Sequence, residues 1–151
     1  MRITKAEKSD KKAILRFYKY QHYSASFIGY DHCYFIRHNQ TIIAAMIVSK
    51  IALQHRHYFL HALVVDKQFQ HQGLATQLLQ HAIIQHQPLI CFADESLSAF
   101  YTQNHMLKLT DIQKTENLPE HLLLRYKVYQ NKQSQLKVFK SVIDSDKTCS
   151  E

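Results

Sequence analysis

Glycine is nearly missing from this chain: 151 residues contain two, alongside two prolines and no tryptophan. So little glycine and proline excludes collagen-like, linker-rich and low-complexity architectures. The three cysteines (Cys33, Cys91 and Cys149) are odd in number and lack metal-site spacing. They read as reduced thiols of a cytoplasmic protein rather than a disulfide framework. Residues Met1 to Lys12 are charged throughout and hold no apolar core of a signal peptide. The longest apolar run, Ile42 to Val48, is far too short to cross a bilayer, so no membrane contact is expected.

What is present is an ordinary globular composition, 46% hydrophobic and 21% charged, in a length that suits one domain with a real core. The net charge of +7 is unevenly spread. Seven of the 19 basic residues lie between Arg2 and Lys19, and a second basic cluster runs from Arg125 to Lys147. Such a surface concentrates anions, among them nucleic acid and acidic proteins, although charge alone does not call for a nucleic-acid partner. Between Gln68 and Pro88 there is no Lys, Arg, Asp or Glu at all.

Along the chain, Arg2 to Ala6 reads as a first strand, and Ser9 or Asp10 caps a helix with Ile14, Phe17 and Tyr18 on its apolar face. Tyr18 to Tyr30, ending near Gly29, reads as a second helix or a structured loop. Cys33 to His38 and Ile42 to Ile51 flank Asn39-Gln40 and form a hairpin. His57 to Val65 is a long strand, with Phe59, His61, Leu63 and Val65 expected on one face. Gln72 to Gln85 is an amphipathic helix that Pro88 ends. A strand at Leu89 to Ala93, a helix at Ser96 to Asn104, and strands at Leu107 to Thr110 and Leu122 to Tyr129 follow. The implied fold is a single α/β domain with a mixed, mostly antiparallel central sheet of about six to seven strands and about four flanking helices. Residues 1–130 form the domain, and 131–151 are expected as a tail or short helix.

The densest signal is Leu63-Val64-Val65-Asp66-Lys67-Gln68-Phe69-Gln70-His71-Gln72-Gly73-Leu74-Ala75-Thr76. A strand stops, a short polar loop follows, and Gly73 opens a helix. A helix N-terminus leaves its first N–H groups unpaired and carries partial positive charge, so a phosphate there is held by main-chain donors. That explains how an uncharged loop binds an anion. The order Gln70-x-x-Gly73-x-Ala75 resembles the acyl-CoA signature of the GCN5-related N-acetyltransferases, Gln/Arg-x-x-Gly-x-Gly/Ala. The resemblance implies acetyl-CoA as cosubstrate. Leu63, Val64 and Val65 would pair their backbone with the pantetheine arm, and His71, Gln72, Gly73, Leu74, Ala75 and Thr76 would hold the pyrophosphate. Gln70 stands where many members carry arginine.

Leu89 to Met106 resembles the family's second motif, with Ala99-Phe100-Tyr101 on its helix. The resemblance implies that Tyr101 is the general acid for the departing CoA thiolate; a phenol near pKa 10 is protonated at neutral pH. Two departures stand out: His105-Met106 replaces the usual Gly-Phe, and Asp94 replaces an asparagine. For a base that deprotonates the acceptor's ammonium, His61 is the candidate, on the strand feeding the loop. Leu60-His61-Ala62-Leu63 is similar locally to the arylalkylamine N-acetyltransferases, with Phe59 at their second histidine position. His55 and His57, two apart, are too few for a metal site. Tyr18, Tyr20, Tyr23 and Tyr30 are candidates to line an acceptor pocket or to pack in the core. The resemblance implies direct acetyl transfer from acetyl-CoA to a primary amine in a ternary complex, with no metal. A non-catalytic acyl-CoA sensor and a basic RNA-binding protein are the alternatives, and a homodimer stays open.

Overall fold

The structure is a computed structural model that describes residues 1–27, 31–51 and 57–142. In chain order the elements are β1 (Ile3–Lys5), α1 (Lys11–Tyr20), β2 (His32–His38), β3 (Thr41–Ile51), β4 (His57–Val65), α2 (Leu74–Gln85), β5 (Leu89–Asp94), α3 (Ser98–Gln103), β6 (Met106–Lys108), α4 (Asp111–Asn117), α5 (Glu120–Lys132) and β7 (Leu136–Ser141). The strands form one sheet in the order β1-β2-β3-β4-β5-β7-β6. Every pairing is antiparallel except β4 with β5. That parallel pair needs a crossover, and α2 supplies it.

β3 is buried from Ile42 to Val48 because helices cover both of its faces. On one face α2 packs Leu74, Leu78, Leu79 and Ala82 against Ile36, Ala44 and Met46. On the other, α1 packs Ile14, Phe17 and Tyr18 against Phe35, Ala45 and Ile47, as its spacing predicts. The β2–β3 turn falls at Asn39-Gln40, both with positive φ (50° and 69°), the twist that a two-residue hairpin favours.

Of the two readings of Tyr18 to Tyr30, a second helix or a structured loop, residues 21–27 take the non-helical one after α1 ends at Tyr20, while Gly29 and Tyr30 lie outside the described residues. Three other expectations are corrected. Leu122 to Tyr129, expected as a strand, belongs to α5. Leu122 and Tyr126, four apart, are the buried pair, and a short apolar run fits both a strand and a helix. Residues 136–141, expected in a tail or short helix, form β7, inserted between β5 and β6, where Val138 and Phe139 are fully buried.

β4 departs from plain alternation in a way that builds the site. Its register with β3 runs Ala45↔Val64 and then Ile47↔His61, so two β4 residues, Ala62 and Leu63, oppose the single Met46. This is a β-bulge, and Ala62 takes φ 56°, the left-handed region that non-glycine residues rarely enter. The extra residue reverses the faces. Tyr58, Leu60, Leu63 and Val65 pack toward α2, whereas Ala62 and Val64 pack toward α1. The expectation that Phe59, His61, Leu63 and Val65 share one face is therefore wrong.

Candidate active site

Pairing of β4 with β5 is confined to Tyr58, Leu60 and Phe59 between them. Beyond Leu60 the two strands separate, and the end of β4 has a cleft on each side. The first, here the loop cleft, has a volume of about 460 Å³ and is lined by Leu63, Val65, Gln70, His71, Gly73 and Tyr101, among others. The second, the α5 cleft, of about 640 Å³, is lined by His61, Ala62, Ser49, Asp31, Arg125 and Lys132, among others.

The loop cleft follows from local sequence. Asp66 ends β4 and accepts the Gln68 N–H (2.9 Å) through Oδ1, while Gln21 at the end of α1 donates to its Oδ2 (2.8 Å). Gly73 takes φ 81° and caps α2. The first α2 amide bonded to this cap is Gln77 N–H, to Gly73 C=O at 2.9 Å, so the amides of Leu74, Ala75 and Thr76 precede that bond and face the loop end. A Cβ built on Gly73 meets no protein atom within 4 Å; the glycine is required by its backbone angle. His71 also has positive φ (64°).

Of the ten residues expected to hold the cofactor, Leu63, Val65, Gln70, His71, Gly73, Leu74, Ala75 and Thr76 line this one cleft. Val64 and Gln72 do not line it. Val64 faces α1 because of the bulge, and Gln72 is exposed. Gln70 turns back, its Nε2 donating to the Val65 carbonyl at 3.2 Å, so it braces the strand end.

Tyr101, on α3, lines the same cleft but is only 6% exposed. Its ring stacks on Phe139 (4.9 Å between centroids) and its hydroxyl hydrogen-bonds the Cys91 thiol on β5. Burial raises its pKa, and the Cys91 charge raises it further, so the phenol keeps its proton. Around it the two departures from the family pattern resolve. His105 stands in the glycine's place with φ 65°, so the turn keeps a left-handed residue without glycine, and Met106 is buried in the core. Asp94 accepts the Ser96 N–H at 2.9 Å and caps the turn before α3.

His61 faces the α5 cleft, half-buried and stacked on Phe59 (5.7 Å). Its Nε2 lies 2.9 Å from the Ser49 hydroxyl on β3. Burial lowers its pKa, with Asp31 raising and Arg125 lowering it in turn, so the imidazole is neutral at physiological pH. Above it, the Tyr18 hydroxyl donates to the Ala62 carbonyl at 2.7 Å, and the Tyr23 hydroxyl shares a hydrogen bond with the Ala62 backbone. The bulge is thus gripped by two tyrosines from α1 and the segment after it. Tyr23 also lines the cleft, Tyr20 lies elsewhere, and Tyr30 and His55 are outside the described residues.

Sequence reasoning missed Ser49, Cys91, Asp31, Arg125 and Lys132. Arg125 and Lys132 are seven apart on α5, two turns and hence one face, and only the recognition of that helix could have found them.

An open sheet that splays after Leu60, with a glycine-capped helix at the opening, is the architecture of an acyl-CoA-dependent transferase. The chain matches the Acetyltransferase (GNAT) family over residues 2–103 and belongs to it. Enzymes of this family use acetyl-CoA as cosubstrate. No curated protein matches by sequence. Among solved structures, N-acetylglutamate synthase from Neisseria gonorrhoeae, complexed with coenzyme A and N-acetyl-glutamate, superposes with a TM-score of 0.68 at 15% identity, covering 93% of this chain. This chain spans 34% of that protein. The Escherichia coli ribosomal-protein-S18-alanine N-acetyltransferase gives 0.60 at 20% identity, covering 72% of this chain and 79% of that one. A GNAT-family acetyltransferase from Staphylococcus aureus Mu50 gives 0.60 at 13% identity over 93% and 97%. Among the described residues no helix is long and apolar enough to cross a membrane.

Proposed function

We propose that this protein transfers the acetyl group of acetyl-CoA to a primary amine by direct attack within a ternary complex. The observation that carries the reading is the β4 bulge at Ala62. On either side of it one strand turns Leu63 and Val65 to the loop cleft and His61 to the α5 cleft. Two substrates held on opposite faces meet at the strand end, where β5 has moved away.

In this reading the pantetheine arm pairs with the β4 backbone at Leu63 to Val65, and the pyrophosphate sits on the amides of Gly73 to Thr76. His61 takes the ammonium proton, either at Nδ1 or through the Ser49 hydroxyl that occupies its Nε2. The free amine attacks the thioester carbon, and a C–N bond forms. Backbone N–H groups at the end of β4 stabilise the oxyanion. As the C–S bond breaks, Tyr101 protonates the departing thiolate; the nitrogen sheds its second proton, which restores the phenol through solvent, and the products are the amide and free CoA. The place of Tyr101 in the lining of the loop cleft supports this role. The neutral imidazole in the α5 cleft supports the role of His61. A structural neighbour of the same fold, complexed with coenzyme A and N-acetyl-glutamate, supports the overall chemistry.

The test has two stages. Acetyl-CoA at 100 times its Kd should add about 2.7 kcal/mol to stability and raise the melting temperature. Free thiol release with a panel of amines should then exceed hydrolysis without amine. Stabilisation without amine-dependent release would mark a sensor and overturn the transferase.

A further inference from the structure

Resting on the acetyl-transfer reading above, we propose that the acceptor amine carries a carboxylate. It is a free amino acid or a zwitterion of similar size, held in the α5 cleft with its carboxylate on Arg125 and its amine turned to His61.

The charges of the cleft carry this. Two cations, Arg125 and Lys132, line its α5 side, and Asp31, just before β2, lines it as well. Among the described residues the ion pairs are Arg37–Asp10, Lys108–Glu95 and Lys114–Asp111; Arg125 belongs to none. Its guanidinium lies over the Phe59 ring, 6.0 Å from the centroid. An aromatic face orients the planar group and leaves its N–H fork for an oxyanion, the geometry that a carboxylate fills with two parallel bonds.

His61 lines the same cleft as both signs. It stacks on the same Phe59 ring, and both Asp31 and Arg125 act electrostatically on it, in opposite directions. A zwitterion that sets its carboxylate on Arg125 turns its ammonium toward His61, the base in the same cleft. A polyamine would instead bring a second positive charge toward Arg125 and Lys132 without a partner for either. A neutral aromatic amine would leave the guanidinium unused. The volume of about 640 Å³ suits a molecule of amino-acid to dipeptide size. Lys132, two turns or about 10 Å further along α5, is placed for a second anionic group on a longer acceptor.

The experiment uses acetyl-CoA with the twenty L-amino acids, the amide and decarboxylated counterpart of each, and spermidine, scored by thiol release. At least one acid should turn over with a kcat/KM about 10–100-fold above its own amide. Arg125→Gln should raise the KM for that acid by a similar factor and erase the acid-to-amide preference. Arg125→Lys should recover part of it, and both variants should keep the acetyl-CoA melting shift. Equal or faster turnover of spermidine or of the decarboxylated amines that keep no carboxylate would overturn the proposal, as would an unchanged preference in Arg125→Gln. Should no compound release thiol, stabilisation of the CoA-bound protein is read instead; no acid stabilising it beyond its amide also overturns the proposal. Loss of the acetyl-CoA shift itself strikes the transferase reading rather than this one.

Discussion

The two clefts flanking β4 are built by opposite means. The loop cleft contains no charged side chain in its lining and works through backbone, a left-handed glycine and a helix end. The α5 cleft works through side chains, with Arg125, Lys132, Asp31, His61 and Ser49 drawn from four separate stretches of chain. On the proposed reading the contrast follows from the ligands. A cosubstrate shared by a whole family would be met by main-chain donors that any sequence supplies, while an acceptor that varies between members would be met by residues that can be exchanged without disturbing the fold. The difference predicts that changes in the first cleft strike binding and chemistry for every acceptor, whereas changes in the second alter selectivity.

The largest effect is expected at Tyr101. Tyr101→Phe keeps the ring stacked on Phe139 and removes only the hydroxyl, so the fold and acetyl-CoA affinity should hold. Turnover should fall by about 10²–10⁴, the worth of general acid help. Steady-state kinetics beside a direct CoA titration checks this, and equal losses in kcat and affinity would reject the general-acid role. An acceptor with a better amine should not rescue it, since the lost step concerns the leaving thiolate.

Gly73→Val comes next. Valine is a poor fit at φ 81°, and strain of about 1–3 kcal/mol should tilt the loop away from its phosphate-binding form. Acetyl-CoA affinity should drop by roughly 5–150-fold with a smaller change in the apo melting temperature. Unaltered affinity in a folded variant would show that the cleft does not depend on this turn.

A smaller effect separates the second cleft from the first. Burial holds the His61 pKa below its ordinary 6.5, so the neutral base persists as pH falls and is lost only below that value. The acid limb of kcat should therefore lie below pH 6.5 and vanish in His61→Gln, whereas Tyr101→Phe should leave it in place. An acid limb at or above 6.5 in the parent enzyme would assign the titration to another group.

How much of this could be read from sequence depends on whether a feature is local. The strand, loop and glycine-capped helix from Leu63 to Thr76 are contiguous, so their pattern carried the residues that line the loop cleft almost whole. Tyr101 followed because α3 comes directly after β5. The α5 cleft was mostly illegible, because Arg125 and Lys132 reach it only if residues 120–132 are helical, and the run Leu122 to Tyr129 reads equally as a strand. Ser49 reaches His61 diagonally across the β3–β4 register, in which its direct partner is Phe59, a pairing that no local pattern spells out. Nothing in the sequence announces the β4 bulge, because its left-handed residue is alanine rather than glycine.

Ala62 itself gives the smallest predicted effect and the closest test of what joins the two clefts. Left-handed alanine costs about 1–2 kcal/mol relative to glycine. Against that, glycine loses about 0.5–1 kcal/mol in chain entropy and forfeits a buried methyl worth roughly 0.8 kcal/mol. Ala62 is 4% exposed, so the methyl counts nearly in full. The terms oppose, and Ala62→Gly should change stability by less than about 1 kcal/mol in denaturant unfolding. The hydrogen bonds from Tyr18 and at Tyr23 are to the backbone and survive the substitution, so the bulge should stay in register and turnover should stay near that of the parent. A loss beyond about 2 kcal/mol, or a collapse of activity in a stable Gly variant, would place the hold on β4 in the alanine methyl. The tyrosines would then be bystanders, and the opposed faces of His61 and Leu63 would rest on packing against Ile47 and Phe35 instead.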